Sequence, residues 1–100
     1  NVVDVIDGRR TVAIGLAISK SLKGSVGIAC LTADLANSVA SEAEVEGFSL
    51  WSAAGKSFDN IVVYIHSDCV EVNEKLRAID AMENLVARLS GPNGKVYCVV

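Results

Sequence analysis

Val12-Ala13-Ile14-Gly15-Leu16-Ala17-Ile18-Ser19 is the stretch on which the fold turns. Large side chains stand at 12, 14, 16 and 18, with small ones between them. That period of two predicts a strand, bulky residues on one face and something packed close against the other. A helix over residues 11–22 is the competing reading of the same letters. Working outward, Val2 to Ile6 is β-branched apart from Asp4 and reads as a strand, followed by Asp7-Gly8. On the other side Lys23-Gly24 supplies a turn, and Ser25 to Leu31 repeats the alternation through Val26, Ile28 and Cys30. Three such strands in succession predict an antiparallel meander.

Further along, the period changes. From about Ser38 to Lys56, Ala40, Ala43, Gly47, Leu50 and Ala54 fall on one helical face, flanked by Phe48 and Trp51. Ser41, three residues before Glu44, suggests a capping box near the helix start. Asp59-Asn60 closes the connection, and Ile61-Val62-Val63-Tyr64-Ile65 is the clearest strand in the chain. Val72, Leu76, Ile79, Val86 and Leu89 keep helical spacing, and Gly91-Pro92 stops that helix. A turn at Asn93-Gly94 leads into a last strand, Lys95 to Val100. The predicted order is β-β-β-α-β-α-β. This is an α/β domain over residues 1–100, with a five-stranded mixed sheet flanked by helices and the first strand parallel to the fourth. Ile14, Leu16, Val62 and Val63 are expected in its core.

One hundred residues suffice for one hydrophobic core, and an apolar content of 51% excludes a disordered chain. The apolar runs are short, so no membrane span is read, and no basic stretch followed by an apolar block marks a signal peptide. Cys30, Cys69 and Cys98 are odd in number and widely spaced. That argues against a disulfide framework or a zinc knuckle and for reduced thiols in an intracellular compartment, cytoplasmic or nuclear. The net charge of −3 and the scattered Lys and Arg count against tight stand-alone binding of nucleic acid. Arg9-Arg10 is the one adjacent basic pair.

The segment Ala43-Glu44 … Phe58-Asp59-Asn60-Ile61-Val62-Val63-Tyr64-Ile65-His66-Ser67-Asp68 resembles the helix-to-fourth-strand stretch of type I ribonucleases H. In that family an Ala-Glu pair opens the helix and an Asp closes a hydrophobic strand. Val5-Ile6-Asp7-Gly8 is similar to the family's Asp-Gly at the end of strand one. The resemblance implies a ribonuclease H-like fold in which Asp7, Glu44 and Asp68 bind metal and serve catalysis, with Arg9 and Arg10 touching substrate. Mg²⁺ or Mn²⁺ would be the cofactor, and the RNA strand of an RNA–DNA hybrid the substrate. Two Mg²⁺ ions about 4 Å apart would hold the attacking water and the departing oxygen, and clustered carboxylates are the ligands such hard ions prefer.

Each of the three acids has a structural alternative. Asp7-Gly8 is also a hairpin-turn pair, Glu44 could complete the capping box of Ser41, and Asp68 with Ser67 could cap a helix. The family's fourth carboxylate has no counterpart here. That absence and the acidic balance support a second function, a catalytically inactive module that binds or scaffolds. Its protein partner, or a second copy, would meet the C-terminal strand Tyr97-Cys98-Val99-Val100. A third reading keeps residues 11–22 helical, making a doubly wound α/β domain of flavodoxin-like or receiver type. A phosphate or nucleotide site would then lie at the carboxyl ends of its strands, although the chain lacks a Gly-rich phosphate loop.

Overall fold

The computed structural model describes residues 2–51, 57–65, 73, 77, 80, 82–90 and 93–100. Strand β1 (Val3–Ile6) leads through Asp7-Gly8-Arg9 into helix α1 (Arg10–Ser21). The alternating stretch is thus helical, which corrects the strand expected there and the Asp7-Gly8 hairpin before it. The small residues explain the outcome. Ala13 and Ala17 stand one turn apart, so they lie one above the other on a single face, and both are fully buried. Their size lets the helix backbone come close to the sheet. Ile14 and Leu16 flank this stripe half-buried, while Val12 and Ile18 are exposed.

Strand β2 (Val26–Cys30) follows and is buried throughout. Helix α2 (Ala33–Ala43) comes next, earlier and shorter than the helix expected over 38–56. Thr32 caps it, its side-chain oxygen accepting from the Leu35 N–H at 3.2 Å. Ala36, Val39, Ala40 and Ala43 form the buried face. Ser41 lies in the last turn, so it opens no capping box. Glu44 ends the helix in the left-handed region, at φ 55°, its N–H directed to the carbonyls of Ala40 and Ser41.

Strand β3 (Glu46–Ser49) then occupies residues expected to be helical. It lies hard against α2: a β-carbon on Gly47 would sit 2.7 Å from the Ala36 carbonyl oxygen. Phe48, on the opposite face, stacks on Phe58 with ring centres 5.4 Å apart. These two rings fill the space that a side chain on Gly27 would need. Strand β4 (Asn60–Tyr64), helix α3 (Met82–Val86) and strand β5 (Lys95–Val99) complete the order. Asn73, Arg77 and Asp80 are also helical, whereas Ala54, Val72, Leu76, Ile79 and Gly91-Pro92 lie outside the described residues.

The sheet runs β1-β5-β4-β2-β3 with every neighbouring pair parallel. The antiparallel meander and the mixed sheet are therefore overturned. A helix between the first two strands makes their connection a crossover, and crossovers return the chain parallel. β1 pairs with β5 (Val3 opposite Val96, Ile6 opposite Val99), not with the fourth strand. β5 is consequently interior, and the C-terminal strand is no exposed edge; the edges are β1 and β3. Continuous apolar runs in β4 and β5 suit strands covered on both faces. On one face Ala13, Ala17, Val39 and Ala40 pack on Ile28, Val62 and Tyr64. On the other, Leu85 packs on Ile61, Val63, Ile65, Val96 and Cys98. Val62 and Val63 are core residues as expected, while Ile14 and Leu16 only border the core. Among the described residues no helix is long and apolar enough to cross a membrane.

Candidate functional site

In a parallel sheet the two ends of the strands are chemically different places, and the acidic residues singled out in the sequence divide between them. Asp7 is exposed directly beyond the carboxyl end of β1, where the Gly8 N–H donates to the Val100 carbonyl at 3.2 Å. Glu44 is exposed at the C-cap of α2, just before the amino end of β3. Helix α2 runs back from the carboxyl end of β2 to the amino end of β3, so Asp7 and Glu44 stand at opposite ends of the strands. Asp68 and Cys69 lie outside the described residues. Among the described residues no three His, Cys, Asp or Glu side chains gather where they could hold a metal ion. Cys30 and Cys98 are buried thiols on the two sides of the sheet.

The two arginines also part company. Arg9 is exposed at the N-cap position of α1 and makes no side-chain capping bond. Arg10 is turned toward α2. Its Nε and Nη2 donate to Glu42 Oε2 at 2.8 and 2.6 Å, and Nη2 also donates to the Ser38 hydroxyl and carbonyl. Both partners are surface groups, so this clasp contributes about 0–1 kcal/mol. It ties the first turn of α1 to the second half of α2.

What the topology does bring together is the carboxyl end of β2 and the carboxyl end of β4. From β2 the chain passes through α2 to β3 on one side; from β4 it passes to β5 on the other. The two strands pair directly, Ala29 opposite Val63, so their connections diverge from adjacent strand ends. Doubly wound sheets form their ligand crevices at such divergences. Thr32 and the first turn of α2 stand on the β2 side of this one, and the chain that leaves β4 after Ile65 lies outside the described residues. The Thr32 carbonyl accepts from the Ala36 N–H at 3.1 Å and its hydroxyl from Leu35, while the first N–H groups of the helix point out of its end. Asp34 lies in that first turn. The sequence carried a signal for this helix start that the 38–56 helix obscured: Thr32 ahead of the helical spacing Ala36, Val39, Ala40, Ala43.

Asp59, read in the sequence as closing the connection before the strand Ile61–Ile65, proves to be a structural tie. Oδ2 accepts from the Ser25 N–H at 2.8 Å and Oδ1 from the Ser90 hydroxyl at 2.8 Å, while the Ser25 hydroxyl accepts from the Asp59 N–H at 3.0 Å. The Ser90 bond first, then the Ser25 N–H, hold its carboxyl below the ordinary value. The segments entering β2 and β4 and the loop after α3 are thereby joined through one carboxylate.

The sequence matches no protein-family profile and no curated protein.

Proposed function

We propose that this chain is a ligand-binding module on a doubly wound parallel sheet, taking a phosphate-bearing small molecule or nucleotide in the crevice beyond β2 and β4. The observation that carries the reading is the divergence of the chain from those two adjacent strand ends. Parallel α/β sheets bind ligands at such points because the loops separate there and leave the helix N-terminal N–H groups unpaired. Thr32 orients the first turn of α2, and Arg9, beyond the carboxyl end of β1, adds positive charge at the same end of the sheet.

Metal-dependent hydrolysis of the RNA strand of a hybrid is the rival proposal. It needs Asp7, Glu44 and Asp68 around one pair of ions, and the separation of Asp7 from Glu44 favours the binding module instead. Titrating ¹⁵N-labelled protein with ATP, NAD and FMN separates the two. The binding reading expects saturable shifts at Thr32 to Ala36 and at Gly8 to Arg10 for at least one of them. It is overturned if none moves those amides at millimolar ligand. The nuclease reading would instead give joint Mg²⁺-dependent shifts around Asp7 and Glu44, and hybrid cleavage abolished by both Asp7→Asn and Glu44→Gln.

A further inference from the structure

At the other end of the sheet, the amino ends of β4 and β5 face the last turn of α1 across a hollow of about 420 Å³. That is within the range of small-molecule sites, roughly 300–1,000 Å³. Lys20 and Lys23 come from α1 and the turn after it, Asp59 and Asn60 from the entry to β4, and Asn93 and Tyr97 from the entry to β5 and its strand.

Among the described residues, ion pairs join Arg10 to Glu42 and Lys95 to Asp4, and neither Lys20 nor Lys23 takes part in one. Lys20 Nζ instead lies 5.0 Å from the centre of the Tyr97 ring, whose residue is 9% exposed and forms the floor. Asp59 supplies one negative charge, but both its oxygens are engaged by Ser25 and Ser90. It stiffens the rim by joining three segments and has no need of the lysines. The lining therefore offers two ammonium groups outside any ion pair, two primary amides and an aromatic floor.

We propose that this hollow binds a small phosphate ester. Ammonium groups act as compact point charges toward phosphate, and two of them match a dianion. The Asn60 and Asn93 amides can each donate two further hydrogen bonds, and the Tyr97 ring gives the organic part an apolar surface. The site stands apart from the crevice beyond β2 and β4, so neither proposal depends on the other.

Glycerol 3-phosphate and inorganic phosphate, with acetate as the ionic control, are titrated into ¹⁵N-labelled protein. The ester is expected to give saturable shifts at Lys20, Lys23, Asn60, Gly94 and Tyr97, and acetate none. Replacing both lysines (Lys20→Gln, Lys23→Gln) should weaken this binding by about tenfold or more, through loss of both charge-assisted contacts. The melting temperature should fall only slightly, since neither ammonium holds an ion pair and Lys20 loses only its place over the Tyr97 ring and at the end of α1. The proposal is overturned if the ester gives no saturable shift at millimolar concentration, or binds the double variant equally well. Shifts confined to Thr32–Ala36, or saturation by inorganic phosphate without the ester, would overturn it too.

Discussion

Helix α1 and strand β2 bury their side chains by opposite rules. In β2 every residue from Val26 to Cys30 is buried, because the strand is paired on both sides and covered on both faces. In α1 the buried residues are Ala13 and Ala17, and the large aliphatic side chains stand beside or away from the contact. Ile28 is fully buried in one element, while Ile18 is 46% exposed in the other. The contrast teaches that regular alternation of size can mark two kinds of packing. A strand buries its large residues, whereas a helix lying close on a sheet buries its small ones.

The largest effect expected is at the strand. Ile28→Ala removes side-chain volume from the sealed interior and should cost about 2–5 kcal/mol in a denaturant melt. A loss no greater than that of Ile18→Ala would erase the distinction between the two elements. Ala17→Leu tests the helix side. Added volume at a fully buried alanine must push α1 off the sheet, at a cost of about 1–3 kcal/mol. A neutral result would mean that the small-residue face is not in contact.

Two smaller effects sharpen the comparison. Nothing lies within 4 Å of a β-carbon built on Gly15, so Gly15→Ala should stabilise the helix by about 0.5–1 kcal/mol, read as a raised denaturation midpoint. Destabilisation there would show that the backbone of residues 12–18 is not helical. Ile18→Ala should change stability by no more than about 0.5 kcal/mol, since the side chain is largely in water. Measured together, the two isoleucine variants isolate burial, because the residue removed is the same.

Much of the strand framework was legible in advance. The strands expected at Val2–Ile6, Ser25–Leu31, Ile61–Ile65 and Lys95–Val100 correspond to β1, β2, β4 and β5 within one or two residues. Their β-branched runs and bounding turns are local features, and local sterics suffice to favour extended backbone there. The helix over 38–56 went astray for a tertiary reason. Gly47, Phe48 and Leu50 fit a helical spacing, yet Phe48 stacks on Phe58 and Gly47 presses on Ala36, contacts that exist only once β3 is in the sheet. Glu44 adopts a positive φ with no glycine to announce it.

The carboxylate site depended on the same hidden information. Asp7 and Glu44 stand in an order that suits a shared centre, but order along the chain does not say which end of a strand a residue occupies. That is decided by strand direction and by where helix α2 lies: Glu44 ends it, at the amino end of β3, and does not open it. Arg10 shows the same dependence: adjacent to Arg9 in sequence, it is drawn to Glu42 and Ser38 by the way α1 lies across α2.

The sequence by itself determined that the chain is apolar enough to bury its strands, which four segments are extended, and where the turns at Lys23-Gly24 and Asn93-Gly94 fall. These are consequences of composition and local backbone preference. Only the tertiary structure decided that α1 is a helix, that β5 lies between β1 and β4, and that the sheet is parallel throughout. The physical reason is that amphipathic period measures which side of a segment is apolar, not what covers it. At residues 12–18 the deciding contact is between two alanines and a sheet formed largely by residues far along the chain.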